Sequence, residues 1–232
     1  MTTTTAELET SDEVEVITGP GPATLADHLE RLGDVEPSRV LWVPLPGTAT
    51  EADLLACGLK LVELIDGTLV RKTMGGRESF ATSALHMWLA NWKRKTDAGV
   101  IGLPDAIYRL APGVIRLPDV SFTSWLGLPN DTAHLYPVLD FAPELAVELL
   151  SESDRPGAVR RKVREYFTYG TKLVWIVDAR AGTVVVHTAL GESTTLTRTD
   201  TLDGGDVLPG FSLPLAELFD APELNPRPPL GA

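Results

Sequence analysis

The sequence predicts a mixed α/β domain with a central β-sheet flanked by helices and extended by extra hairpin strands. Short runs rich in Val, Ile and Leu alternate with segments of helical periodicity along most of the chain. Hydrophobic residues make up 44% of the 232 residues, which is enough for a sizeable core. The longest apolar runs are too short to cross a bilayer, so no membrane span is expected.

Helices are expected where apolar residues recur every three to four positions between capping residues. Thr50 is a good N-cap, and Gly33, Gly58 and Gly170 are good stop signals. The predicted helices cover residues 24–33, 50–58, 77–96, 157–170 and 213–219.

Strands are expected around turn dipeptides and in one compact apolar run. Residues 61–72 form a predicted hairpin that turns at Asp66-Gly67, and 172–189 form a second one that turns at Ala181-Gly182. Short strands follow one another over 100–125, and 193–199 predict an outer strand. The run LAVELL at 145–150 is typical of a central strand that is buried on both faces.

The two ends of the chain differ in composition from the region between them. Residues 1–23 are rich in Thr and acidic residues and end in TGPGP, which predicts a disordered acidic tail. Residues 221–232 are rich in proline and predict a second tail. A single domain is therefore expected over residues 24–220.

Charge and cysteine content limit the class of protein. The net charge of −12 argues against a broad surface that coats nucleic acid, but it leaves room for a local basic groove. The single cysteine, Cys57, excludes an internal disulfide and a cysteine-cluster metal site. The N-terminus lacks the basic and apolar regions of a secretory signal, so a soluble cytoplasmic protein is expected.

Two acidic residues stand at unusual places, next to or within apolar strands. Asp119 follows a proline in RLPDVSF, and Glu148 interrupts the apolar run LAVELL. A buried carboxylate is costly unless a cation is paired with it, and hard carboxylate oxygens suit Mg²⁺ or Mn²⁺. The pair is thus a candidate metal site. An equally weighted alternative is that Asp119 caps a turn and Glu148 pairs with a nearby arginine.

The helix that follows Glu148 carries several basic residues. On a helical wheel, the arc that faces the sheet contains Val159, Val163, Tyr166 and Phe167. Lys162 and Arg160 flank this arc on opposite sides, whereas Arg161 and Glu165 are expected to face away. Either flanking residue can reach the acids, and the wheel does not choose between them.

Several of these segments together resemble a known family. RLPDVSF, PELAVELLSESD, Lys162 and YFTYGTKLVWIVD are similar to the Uma-two family of restriction endonuclease-like proteins, within the PD-(D/E)XK nuclease superfamily. The segments VELIDGTLVRKTMG and DGGDVLPGFSLPLAELF fit the family as well, so the resemblance runs from about Thr50 to Phe219. It implies a restriction-endonuclease-like fold, with a mixed central sheet flanked by helices.

The resemblance also implies catalytic residues. Asp119 matches the acid of the PD half-motif, and Glu148 matches the acid of the second half-motif. The superfamily pattern has a lysine two residues after this acid, where the present chain has Leu150. The resemblance assigns the catalytic lysine to Lys162 instead, which resolves the choice left open by the wheel. Glu63 matches an acid at the family's N-terminal edge.

The same resemblance implies a cofactor and a reaction. Asp119, Glu148 and the carbonyl of Leu149 are expected to hold Mg²⁺ or Mn²⁺. The implied activity is a Mg²⁺-dependent endodeoxyribonuclease that hydrolyses DNA phosphodiester bonds. A homodimer is expected by analogy of fold, with the apolar hairpin at 172–189 as its interface.

A second interpretation is a catalytically inactive nuclease fold that serves as a binding or assembly module. The acidic net charge favours this alternative slightly. The presence of Asp119, Glu148 and Lys162 together favours the enzyme more, because a degenerate site is expected to have lost at least one of them.

Overall fold

The structure, a computed structural model, describes residues 24–58, 61–221 and 224–225. The tail predicted at 1–23 and nearly all of the tail predicted at 221–232 lie outside the described residues. The extent of the single domain predicted over 24–220 therefore stays a prediction.

The described residues form helices and strands in the mixed order that the sequence predicts. The helices are α1 Leu25–Arg31, α2 Glu51–Ala56, α3 Gly76–Thr96, α4 Pro156–Thr168 and α5 Leu215–Phe219, with short 3-10 turns at Pro37–Arg39 and Ala133–Leu135. The strands are β1 Val62–Ile65, β2 Thr68–Arg71, β3 Gly99–Gly102, β4 Ile107–Ala111, β5 Val114–Arg116, β6 Val120–Ser124, β7 Val138–Leu139, β8 Leu145–Leu149, β9 Leu173–Asp178, β10 Thr183–Ala189, β11 Glu192–Thr197, β12 Thr201–Asp203 and β13 Ser212–Pro214.

The larger sheet has the strand order β11-β10-β9-β8-β6-β3. Strands β8 and β9 are parallel, and helix α4 forms the crossover that parallel neighbours require. The other neighbouring pairs are antiparallel. Every residue of β8 is buried, as predicted for a central strand, and β11 is the predicted outer strand.

A second sheet has the order β2-β1-β5-β4-β7, and β12 and β13 form a small separate ribbon. The mixed α/β fold class, with a central sheet flanked by helices, is confirmed, and the five-stranded sheet is an addition that the sequence does not predict. The hairpin that turns at Asp66-Gly67 pairs with β5 and not with the larger sheet. The chain passes from β5 to β6 within residues 117–119. Strand β5 and the hairpin that pairs with it belong to one sheet, whereas β6 belongs to the other.

Helices α3 and α4 cover opposite faces of the larger sheet. Leu85 and Leu89 of α3 pack with Phe122 and Trp175, whereas Tyr166 of α4 belongs to the cluster on the other face. The predicted N-cap is confirmed, because the Thr50 side chain accepts a hydrogen bond from the backbone N–H three residues later. Over the described residues, no helix is both long and apolar enough to span a membrane.

Candidate active site

The two acids singled out in the sequence lie side by side on one face of the larger sheet. Side chains alternate between the faces of a strand, and Val120 and Val147 point toward α3. Asp119 and Glu148 consequently point to the face that α4 covers. The antiparallel register that pairs Val120 with Val147 also places Asp119 opposite Glu148. Two like charges in this relationship repel each other unless a cation lies between them.

That cation is the ammonium group of Lys72, which follows β2. Its Nζ lies 2.9 Å from Asp119 Oδ1 and 3.2 Å from Glu148 Oε2. It also donates a hydrogen bond of 2.5 Å to the carbonyl oxygen of Leu117. Burial alone would lower the pKa of Lys72, but the charges of Glu148 and Asp119 outweigh it and raise that pKa. Lys72 is therefore a buried, charged counter-ion of both acids.

Helix α4 brings two further groups to Glu148. Lys162 Nζ lies 2.8 Å from Glu148 Oε2, and the Tyr166 hydroxyl donates a 2.7 Å hydrogen bond to Glu148 Oε1. The two residues are four positions apart and so lie on the same side of the helix. Burial raises the pKa of Tyr166, and the negative charge of Glu148 raises it further, so the hydroxyl remains a donor. Both oxygens of Glu148 are thus engaged.

Asp119 is held by the backbone as well as by Lys72. The Leu149 N–H donates a 2.7 Å hydrogen bond to Asp119 Oδ2, and Oδ1 has only its ion pair with Lys72. Burial raises the pKa of Asp119, and the charge of Glu148 adds to the rise against the opposing effect of Lys72. The contact that the structure gives for Leu149 is through its N–H, and not through the carbonyl expected to bind metal.

A second ion cluster adjoins the first. Arg116, at the end of β5, lies 3.0 Å from Glu63 Oε2 and donates a 2.7 Å hydrogen bond from Nε to Glu165 of α4. Glu63 Oε1 lies 3.5 Å from Lys162 Nζ, which links the two clusters. Burial would raise the pKa of Glu63, but the charges of Lys162, Arg116 and Lys72 prevail and lower it to about 2.

All four predicted catalytic residues therefore belong to one buried network. Glu63 and Asp119 are each 1% exposed, Glu148 is 5% exposed and Lys162 is 8% exposed. The choice of Lys162 over Arg160 agrees with the geometry, because Arg160 lies at the surface. The prediction that Glu165 faces away is wrong: Glu165 is buried against Arg116. The helical wheel takes account only of the face toward the sheet, whereas Arg31 and Arg116 also contact α4.

Lys72 and Arg116 belong to the network, although they were not predicted from the sequence. Side chains alternate between the two faces of a strand, and both residues continue a series of inward-facing positions. Lys72, for example, lies two positions after Val70 and therefore on the same face of β2 and its extension. Val70 packs in the cluster that includes Ala158 of α4. The sequence signal for these two residues is a charged residue at an inward-facing position within or next to an apolar strand.

A small cavity adjoins the network, and a larger cleft lies next to that cavity. A cavity of about 10 Å³, roughly the room that one water molecule needs, is lined by residues that include Glu63, Arg116 and Lys162. An open cleft of about 600 Å³ lies beyond the end of β8 and is lined by residues that include Ser151, Arg160, Arg180 and His187. Asp154 and Val159 line both spaces and separate the buried network from the cleft.

The oxygens around Lys72 fit a divalent ion in their chemistry. Asp119 Oδ1, Glu148 Oε2 and the Leu117 carbonyl converge on one point, and they are hard donors of the kind that Mg²⁺ and Mn²⁺ prefer. The described residues contain no group of three or more His, Cys, Asp or Glu side chains arranged to hold a metal. The ammonium of Lys72 occupies the position on which these three oxygens converge.

The chain is similar to known proteins both in sequence and in fold. The sequence profile of the Uma2 family, whose description is "Putative restriction endonuclease", matches residues 57–216. The fold is similar to the crystal structure of a protein from Anabaena variabilis ATCC 29413, described as a "putative nuclease belonging to DUF820". The TM-score is 0.64 at 18% sequence identity, over 76% of this chain and 99% of that one. A search of proteins with curated functions gave no significant match.

Proposed function

The chain belongs to the Uma2 family, and from this membership together with the site geometry we propose that it is a metal-dependent nuclease that hydrolyses phosphodiester bonds in DNA. The observation that carries the proposal is the convergence of Asp119, Glu148 and Lys162. They come from two strands and a helix, yet they lie within one network of charge-assisted contacts. A lysine and two carboxylates in contact are the groups that metal-assisted phosphodiester hydrolysis uses.

The proposed roles combine the family resemblance with the observed contacts. Asp119 and Glu148 would hold Mg²⁺ or Mn²⁺, and the resemblance implies the Leu149 carbonyl as a third ligand, whereas the Leu117 carbonyl is the one that converges with their oxygens on the Lys72 ammonium. When bound, the ion supplies positive charge at the scissile phosphate and lowers the pKa of bound water. Glu148 holds the Lys162 ammonium at 2.8 Å, where it can orient the attacking water and stabilise negative charge on the phosphate.

Tyr166 and Glu63 position these groups. Tyr166 fixes the orientation of the Glu148 carboxylate through its 2.7 Å hydrogen bond. Glu63 lies 3.5 Å from Lys162 Nζ and keeps negative charge beside the lysine, because its pKa is lowered to about 2. Both are therefore positioning residues in this proposal.

The open cleft beyond β8 is the proposed path of the nucleic acid. Arg160, Arg180 and His187 supply positive or protonatable groups along it, and phosphate contacts to Arg and Lys dominate the affinity of proteins for DNA. Glu152, Asp154 and Asp178 line the same cleft, and Arg180 is paired with Glu152, so the proposed path depends on a few arginine contacts and not on a positively charged surface.

A homodimer belongs to the same proposal. Residues 172–189 form β9 and β10, and β10 lies between β9 and the edge strand β11, whose residues are largely exposed. Association along this edge would place two active sites in one particle. Analytical ultracentrifugation at several concentrations tests it, with twice the mass of one chain as the expected result and a single-chain mass as the contrary one.

The second candidate function is that of an inactive nuclease fold that binds nucleic acid or a partner protein. The specific observation in its favour is that every carboxylate oxygen of Glu148 is already engaged by Lys72, Lys162 or Tyr166. A carboxylate in this state has no oxygen ready for a metal unless one partner moves.

The deciding experiment is a cleavage assay with supercoiled plasmid and with single- and double-stranded oligonucleotides, in Mg²⁺, in Mn²⁺ and in EDTA. The wild-type protein is compared with Glu148→Gln and with Glu192→Gln, a matched change at an exposed strand position. Metal-dependent cleavage by wild type and Glu192→Gln, but not by Glu148→Gln, supports the enzyme. Equal cleavage by all three would trace the activity to a contaminant and overturn the assignment.

A further inference from the structure

Lys72 has no place in the roles proposed above, although it makes the most central contacts of the site. Its Nζ contacts both proposed metal ligands, at 2.9 Å and 3.2 Å, and it is anchored by the Leu117 carbonyl at 2.5 Å. The side chain is only 4% exposed. Three oxygen partners therefore hold the ammonium in the unliganded site.

The position of this ammonium is the one that a divalent ion would need. An ion bound to Asp119 Oδ1 and Glu148 Oε2 would lie about 2.1 Å from each oxygen. The Lys72 ammonium shares these same two oxygens. Two cations on the same side of one carboxylate pair would be closer than their contact distance and would repel each other strongly in a buried site.

The charge balance leads to the same conclusion. The carboxylates of Asp119 and Glu148 are matched in number by the ammonium groups of Lys72 and Lys162. A divalent ion added beside both lysines would leave two positive charges in excess, at high desolvation cost. If the ion replaced the Lys72 ammonium, only one charge would be in excess, and a phosphate could neutralise it.

We propose that Lys72 is an internal counter-ion that occupies the divalent-ion position of the unliganded site and has to be displaced before the metal binds. This inference rests on the proposed function only for the premise that a metal binds between Asp119 and Glu148. It makes Lys72 a residue that sets metal affinity. The backbone of Lys72 is hydrogen-bonded to Leu61, so displacement would be a movement of the lysine side chain and not of β2.

The first test measures metal binding alone, without nucleic acid. Mn²⁺ is titrated by calorimetry into wild type, Lys72→Met and Lys172→Met. Lys172 is the matched control because its ion pair with Glu144 lies at the surface. Lys72→Met is expected to bind Mn²⁺ roughly tenfold or more tightly than wild type, while Lys172→Met binds like wild type. Equal affinities in all three proteins, or no binding in any of them, would overturn the inference.

The second test uses wild-type protein and does not depend on the folding of a variant. Lysines are labelled with an amine-reactive reagent, with and without Mn²⁺, and each site is quantified by peptide mass spectrometry. Lys72 is expected to be protected without metal and to become reactive at saturating Mn²⁺. Lys172, whose side chain is 63% exposed, is expected to react equally in both states. Continued protection of Lys72 at saturating Mn²⁺ would refute displacement.

These outcomes separate the inference from the proposed function. If Lys72→Met binds Mn²⁺ more tightly but the wild-type protein cuts no nucleic acid, the inference stands and the nuclease assignment fails. If wild type cuts with metal and Lys72→Met has unchanged Mn²⁺ affinity, the assignment stands and the inference fails.

Discussion

The ammonium of Lys162 lies 2.8 Å from Glu148 Oε2, although the lysine comes from helix α4 and the glutamate from strand β8. Position 150, where the superfamily pattern has its lysine, is a leucine in this chain. Because α4 covers the face of β8 to which Glu148 points, a lysine on its inner flank reaches the carboxylate that a strand lysine would reach. In the proposed active site, the helix would therefore supply the lysine that the strand lacks.

Removal of this ammonium is expected to abolish cleavage. Lys162→Met keeps the apolar stem but loses the charge, so we expect a fall in cleavage rate of at least about 100-fold. Glu148 would retain Lys72 and Tyr166, so the free energy of unfolding should fall by only about 1–3 kcal/mol. Plasmid cleavage and urea denaturation measure the two effects, with Lys172→Met as the control. A cleavage rate close to that of wild type would remove Lys162 from the active site.

Arg116 is expected to contribute more to stability than any surface arginine. Its loss in Arg116→Met would leave the buried carboxylates of Glu63 and Glu165 short of a partner, which costs about 3–5 kcal/mol of unfolding free energy. Arg109→Met is the control, because its pairs with Glu51 and Asp140 are partly exposed and contribute about 1 kcal/mol or less. Urea denaturation of the two variants checks the difference, and equal losses would contradict it.

The low pKa of Glu63 predicts a specific acid dependence. Its folded-state pKa of about 2 lies below its ordinary value of 4.5, so its charge contributes stability that is complete above pH 4.5 and is lost as the pH falls toward 2. The stability advantage of wild type over Glu63→Gln should therefore shrink through this range. Denaturation at a series of pH values measures it, and comparison with the variant cancels the opposite effect of Asp119. A constant difference would show that Glu63 is not charged in this way.

Tyr166 offers a test of how Glu148 is oriented. Tyr166→Phe keeps the buried ring and removes only the hydroxyl, so we expect a loss of about 1.5–3 kcal/mol, the range for hydrogen bonds to charged groups. Cleavage should slow while Mn²⁺ affinity changes little, because both metal ligands remain. Denaturation, cleavage and calorimetry on the same variant separate these effects. Unchanged stability would mean that the hydroxyl has no net role in holding Glu148.

The features that sequence reasoning predicted correctly depend on short stretches of chain. The turn at Asp66-Gly67 and the N-cap at Thr50 follow from local backbone preferences, and Asp119 and Glu148 are conspicuous because each lies next to or within an apolar strand. Assignment of the lysine to Lys162 needed a resemblance, because the wheel placed Lys162 and Arg160 on opposite flanks of the apolar arc.

The features that were missed depend on contacts between distant segments. Lys72 is 47 positions before Asp119 and 76 positions before Glu148, so no local pattern connects it with the acids. The second sheet arises because β1 pairs with β5 across a long stretch of chain. Glu165 is buried against Arg116, which lies 49 positions before it in the sequence.

The close contact between the N-terminal segment and α4 has a consequence for the active site. Gly33 adopts a φ of +83°, and a Cβ there would lie 2.7 Å from backbone atoms of Gly157 and Ala158. The backbone of a segment outside the family profile thus touches the first turn of the helix that carries Lys162. Any larger residue at position 33 would clash with this turn, so either the helix or the segment around Gly33 would have to shift. Gly33 and Gly157 therefore influence where α4 places Lys162, although Gly33 lies more than 120 positions before this lysine in the sequence.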